Sequence, residues 1–307
     1  MADLLECVPN FSEGRDEEII AELRSALGIP GVTLLDVHSD RDHNRSVFTL
    51  VGTPEALVDA VYQAARVAAE RIDLTKHTGA HPRLGATDVV PFIPLTGTPM
   101  STAVEASRAL ADRVWTGLSI PVYFYEESAT QPERVNLEQV RGKGFEEALA
   151  TVAAEPRRRP DIGNPQLHPT AGAVITGARG PLIAYNIYLN TPDITIAKAI
   201  AKTVRHSGGG LRFVKALGLD IPERGCVQVS MNLTNFRRSA MFTVFDLVRQ
   251  AAESYGVAVT DSEVVGLLPA AALFDVARHY LRMHHFEENQ VLEMRLLETN
   301  PDEALAS

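Results

Sequence analysis

A chain of 307 residues that is 45% hydrophobic and 22% charged has the make-up of a globular protein, long enough for two domains or one duplicated unit. Its formal charge of −10 and pI near 5.4 exclude a general nucleic-acid binder, which needs a basic face, and no run approaches the roughly 18 apolar residues of a membrane span. Two cysteines, Cys7 and Cys226, exclude a disulfide framework; with no basic segment and apolar core at the N-terminus, a cytoplasmic protein is expected.

In chain order, residues 4–8 read as a strand ending at the polar turn Pro9-Asn10-Phe11-Ser12-Glu13-Gly14. Residues 16–27 carry a helical stripe of Ile19, Ile20, Leu23, Ala26 and Leu27, stopped by Gly28. Strands are expected at 32–37 and 46–51. The eight polar residues between them, His38-Ser39-Asp40-Arg41-Asp42-His43-Asn44-Arg45, read as a solvated hairpin loop. Thr53-Pro54-Glu55 starts a helix reaching about Ile72, with a capping hydroxyl and proline at the first position. A loop from His77 follows, and residues 88–93 form a strand. The order is β-α-β-β-α-β, a ferredoxin-like unit.

Between this unit and the next, helices are expected at 101–116 and 137–152, with a strand at 122–125. Arg157-Arg158-Arg159-Pro160 then leads into Asp161-Ile162 and the run Gly163-Asn164-Pro165-Gln166-Leu167-His168-Pro169-Thr170-Ala171-Gly172, a linker or a ligand loop. The second half repeats the order: a strand at 182–189, a helix from Thr191-Pro192-Asp193 to about Arg205, strands at 213–217 and 226–233, a helix at 240–255 and a strand at 257–265. Ser207-Gly208-Gly209-Gly210 is either an anion-binding nest or a helix stop. Residues 270–297 read as one charged helix. The fold class is therefore α/β (α+β), with two similar β-α-β-β-α-β subdomains, 1–180 and 181–307, their sheets covered by helices.

Chemistry is expected in the stretch from His77 to Pro94, where His77, His81, Arg83 and Asp88 stand among Gly79, Pro82 and Gly85. Glycine and proline forbid a continuous helix there, and loops on a rigid scaffold are where reactive groups tend to sit. A histidine near its ordinary pKa exchanges a proton at neutral pH. A helix would offer His77 and His81 together to zinc, but Gly79 and Pro82 break it and no Glu follows His77, so no metal is expected.

Several motifs, in this order, resemble the glutamate formimidoyltransferase family, whose formiminotransferase module some relatives carry ahead of a cyclodeaminase. They are Glu6-Cys7-Val8-Pro9-Asn10-Phe11-Ser12-Glu13-Gly14, Asn44-Arg45-Ser46-Val47, His81-Pro82-Arg83 with Gly85-Ala86 and Asp88, Gly177-Ala178-Arg179, Gln228-Val229-Ser230, and Val264-Val265-Gly266-Leu267-Leu268-Pro269. The resemblance implies a stand-alone form built of two similar α/β subdomains. It also implies His81 as the proton-transferring residue, residues 163–172 as a folate-binding loop, and a homodimer. The implied reaction moves a formimidoyl group from N-formimino-L-glutamate to N5 of tetrahydrofolate, a co-substrate taken free or polyglutamylated. Asn10, Asp36, His38, Asp40, Arg45, Arg83 and Asp88 are candidates for binding or supporting the substrate: an aspartate for the amidine charge, an arginine for the carboxylates. His38 stands where relatives often have aspartate, and a histidine found near Met241-Phe242 in them is missing. Formyl transfer from 5-formyltetrahydrofolate and metal-dependent amidine or amide hydrolysis are the alternatives.

Overall fold

The buried apolar side chains fall into two clusters, one drawn from residues 5–178 and the other from residues 183–272. The chain divides with them into two units, Met1–Gly180 and Pro181–Ser307. The computed structural model describes residues 3–79, 82–95 and 97–299.

The first unit begins with β1 (Leu5–Cys7), β2 (Asn10–Phe11), α1 (Glu17–Leu27), β3 (Val32–Asp40), β4 (Arg45–Gly52), α2 (Pro54–Arg71) and β5 (Thr87–Pro94). It continues with α3 (Met100–Leu118), β6 (Val122–Glu126), the short helices α4 (Leu137–Arg141) and α5 (Phe145–Thr151), and β7 (Val174–Ala178). β1 and β2 form one line interrupted at Val8-Pro9, pairing antiparallel with β4 on one side and β5 on the other. β3 lies outside β4, while β7 and β6 extend the sheet in parallel beyond β5. This is the ferredoxin-like order with two added strands.

Strand alternation decides which side chains can serve a site. On β4, Ser46, Phe48 and Leu50 face the core under α1 and α2, where Phe48 meets Phe11 edge to face at 5.6 Å. Arg45, Val47 and Thr49 therefore face the other way. By register, Asn10 opposite Val47, Asp36 opposite Thr49, His38 opposite Val47 and Asp40 opposite Arg45 share that outer face. The pairing of Asn10 with Val89 and of Phe11 with Thr87 leaves Asp88 as an extra residue on β5. Such a bulge re-aims a side chain.

Two expectations in this unit need correcting. The polar run 38–45 is mostly strand: β3 continues to Asp40 and β4 starts at Arg45, leaving a four-residue turn. Its charged residues are the outward half of a period-2 pattern. The helix expected at 137–152 is two helices, because Gly142 and Gly144 take φ values of 58° and 103°, which a helix cannot continue through.

The second unit runs β8 (Ile183–Leu189), α6 (Ile194–Val204), β9 (Val214–Ile221), β10 (Cys226–Leu233), α7 (Met241–Ser254), β11 (Val259–Val265), α8 (Ala270–Leu281) and α9 (Leu292–Thr299). Its sheet order is β11-β8-β10-β9, all antiparallel. Asp193, not Thr191, caps α6, accepting the Thr195 amide. The amides of Gly208, Gly209, Gly210 and Leu211 donate to carbonyls of Arg205, His206, Arg205 and Val204, so the glycine run is a helix stop and not a nest. β9 runs on to Ile221, beyond the expected 217. The late helix breaks at Arg282, whose φ is 55°. No helix among the described residues is long and apolar enough to cross a membrane.

Candidate functional site

The bulge on β5 turns Asp88 into the centre of a buried charge cluster. Its side chain is fully buried, and Oδ2 accepts from Arg45 Nη1 and from Arg141 Nη2, each at 2.8 Å. Oδ1 accepts the amide of Leu84 at 2.7 Å and, more weakly, that of Gly85 at 3.4 Å, which folds the 82–86 loop back onto the strand. Asn10 Oδ1 accepts from Arg45 Nη2 at 2.6 Å and Nε at 3.0 Å. One carboxylate thus faces two guanidinium groups. Burial pulls the pKa of Arg45 down, Asp88 opposes this, and Arg141 adds to it; an arginine nevertheless stays protonated. The Nε of Arg141 is buried without an acceptor among the described residues.

The loop ahead of Asp88 is held from several sides. Arg83 makes a two-pronged ion pair with Glu146 of α5, at 2.8 and 3.1 Å, and donates to the carbonyls of Leu74 and His77. The Arg83 guanidinium beside Glu146 lowers that carboxyl's pKa. His77 Nε2 lies 3.0 Å from the Asn44 carbonyl, so this nitrogen carries the proton and donates. Burial, the leading cause, lowers the pKa of His77 and favours the neutral ring, leaving Nδ1 as a buried lone pair. His77 is accordingly a brace. An open cleft of 340 Å³ beside it is bounded by Glu13, Arg15, Asn44, Arg71 and Lys76. A larger groove, 720 Å³, passes Asp3, Asp59, Glu105 and Arg113 and touches none of the candidates. His81 lies outside the described residues.

The run Gly163–Gly172 joins this loop although 75 or more residues separate them. Leu74 N donates to Thr170 O, Ala86 N to Ala171 O, and Ala173 N to Leu84 O, at 2.9, 2.9 and 3.1 Å. His168 and Gly172 exchange backbone hydrogen bonds, and His168 Nδ1 accepts the Ala171 amide at 3.0 Å. Leu167 and Ala171 are buried, whereas Gly163, Asn164, Pro165, Gln166 and Pro169 are exposed. The loop therefore has an anchored base and a free tip. Gly172 has a φ of +70°, and a Cβ there would sit 2.1 Å from Leu84 O, so the close approach needs glycine.

The other candidates separate by their partners. Asp40 is tied to His43, Oδ2 to Nδ1 at 2.7 Å, and accepts the amides of Asp42 and His43. That hydrogen bond holds the Asp40 carboxyl well below its usual range and raises the His43 imidazole. The pair closes the turn, and no group of three or more metal-ligating side chains occurs among the described residues. Asp36 is half-buried and has no partner among the described residues; His38 is exposed beside it. Arg158 pairs with Glu147, and Arg134 donates to the carbonyls of Arg157 and Arg159, so the backbone of the basic run 157–159 is tied down while the side chains of Arg157 and Arg159 stay exposed. Arg141 was not singled out from the sequence. The one signal for it was Gly142-Lys143-Gly144 inside an expected helix, which ends a turn just after this arginine.

Comparison with known proteins adds to this geometry. A family model described as the formiminotransferase domain, N-terminal subdomain, matches residues 4–179, and one described as the formiminotransferase domain matches residues 184–297. The chain is 48% identical over 299 residues to a glutamate formimidoyltransferase of Streptococcus pyogenes serotype M1, covering 97% of this chain and 100% of that one. It is 46% identical to the corresponding protein of Thermoplasma acidophilum, covering 95% and 97%. A formimidoyltransferase-cyclodeaminase of Gallus gallus is 42% identical, covering 92% of this chain and 53% of the longer protein.

Proposed function

The chain belongs to the formiminotransferase family, and on that premise we propose that it transfers the formimidoyl group of N-formimino-L-glutamate to N5 of tetrahydrofolate, giving 5-formimidoyltetrahydrofolate and L-glutamate. The observation that carries this reading is identity of 48% and 46% over nearly full length with two proteins named glutamate formimidoyltransferase.

N5 attacks the amidine carbon, and its proton passes to a base. Glutamate departs only when its nitrogen has received a proton, so one group that takes and then returns a proton serves both steps. His81 fills that role. Its loop is pinned by Arg83 at Glu146 and by Asp88 at Leu84, which fixes the approach of the residues around it. Arg45 meets a carboxylate of the donor: it sits on the outer face, a guanidinium that shares Asp88 with Arg141. Among the aspartates, Asp36 is the one available to the amidinium, since Asp40 and Asp88 are already committed to His43 and to the two arginines. The exposed tip of the 163–172 loop meets folate. The active form is a homodimer in the cytoplasm.

Purified protein incubated with both substrates should release glutamate in a folate-dependent way and form 5-formimidoyltetrahydrofolate without added metal. A His81→Ala variant should lose about 10²–10⁴-fold in kcat with little change in folate KM. Release that needs metal but no folate would replace this reading with hydrolysis, and full activity in the variant would remove His81 from the mechanism.

A further inference from the structure

The outer face of the second sheet carries a counterpart to the Asp88 cluster, built around a carboxylate with neutral donors. In the first unit the outer face holds an amide on the first strand line (Asn10), a guanidinium on β4 (Arg45) and a carboxylate on β5 (Asp88). In the second unit the matching strands, β8, β10 and β11, hold Asn186, Gln228 and Glu263. Their register sets them away from the core: Asn186 lies opposite Glu263, and Tyr188 opposite Gln228, while the alternate residues Tyr185, Ile187 and Leu189 are core.

Glu263 Oε1 accepts from Tyr188 Oη at 2.7 Å and Asn186 Nδ2 at 2.9 Å, with Gln228 Nε2 farther off at 3.5 Å. Those three donors are themselves nearly buried, at 6%, 9% and 4% exposure, while Glu263 is exposed. All the bonds converge on one oxygen; Oε2 has no donor among the described residues. The nearby Arg224, whose guanidinium lies 4.0 Å from the centre of the Tyr188 ring, is paired with Asp261. Asp88 thus faces two guanidinium groups, whereas the hydroxyl and amide donors to Glu263 are neutral.

A carboxylate fixed through one oxygen, with the other presented outward, is built to accept from a ligand. We infer that Glu263 is a substrate-binding residue that takes a cationic or strongly polarised N–H group, with Tyr188 and Asn186 positioning it. Resting on the transferase reading above, two sources of that chemistry are present: the 2-amino and ring N–H edge of the reduced pterin, and the protonated amidine of the donor. In either case the interaction is a charge-assisted hydrogen bond.

The test measures binding of tetrahydrofolate and of N-formimino-L-glutamate by calorimetry, with steady-state KM and kcat beside it, for the full-length wild type, Glu263→Gln and Tyr188→Phe. Glu263→Gln should weaken one ligand by about tenfold or more in both Kd and KM, with kcat within about threefold. A change confined to tetrahydrofolate identifies the pterin edge, and one confined to the donor identifies the amidine. Tyr188→Phe keeps the charge, loosens its orientation, and should weaken the same ligand about threefold, which a purely structural role would not produce. Equal Kd values for both ligands in wild type and both variants would overturn the inference. A wild type that transfers nothing would instead overturn the assigned reaction, and Glu263-dependent binding in that same protein would still uphold the residue's role.

Discussion

Asp88 meets two guanidinium groups in a place from which water is excluded, and that ratio sets what its loss would do. Replacing a buried carboxylate leaves its cations desolvated and without a counter-charge, which costs more than the pair contributes when intact. Asp88→Asn should therefore lower the stability of the first unit by about 3 kcal/mol, read from urea unfolding. The single tryptophan, Trp115 on α3, reports that unit by its fluorescence. An unchanged midpoint would mean that Arg45 and Arg141 find other partners readily, and that Asp88 is not the hub of the cluster.

At the scale of elements, the join between the 82–86 loop and the 163–172 loop is made of backbone hydrogen bonds and one tight glycine contact. Gly172→Ala adds a methyl group against Leu84 O and forces a left-handed backbone on a residue that resists it. A loss of about 2 kcal/mol is expected in the same fluorescence assay, and folate KM should rise more than donor KM because the loop proposed to meet folate loses its anchored base. A rise in donor KM alone would count against the placement of folate at residues 163–172.

The strand and helix order of both units was legible because apolar alternation and the Thr53 and Gly28 signals are local. Pairings that depend on chain return were not. Arg141 reaches Asp88 across 53 residues and Arg45 across 43, so no window of sequence contains either contact. The helical period over residues 137–152 hid the break at Gly142 and Gly144. The polar run 38–45 reads as a solvated loop because its continuous charge masks the alternation beneath it. Asp36, His38 and Asp40 are two apart, which is the period of a strand face. Among the aspartates, only the fold separates the two committed by their partners from Asp36.

On the scale of the whole molecule, the two guanidinium groups of Arg45 and Arg141 sit within a chain whose total is −10. With the donor placed at Arg45 as proposed, an anionic substrate is expected to be held back by the protein at a distance and drawn in only near contact. Salt acts unequally on these two fields: the screening length falls from about 30 Å at 0.01 M to about 10 Å at 0.1 M, whereas partly buried charges are screened much less. Raising ionic strength across that range should increase kcat/KM for the donor, the reverse of an enzyme that steers its substrate by its overall field. A fall would mean that the surface around the arginines is attractive well beyond contact. On the proposed placement of the donor at Arg45, the two guanidinium groups on one aspartate make capture a short-range event, one that works best where counterions hide the rest of the protein.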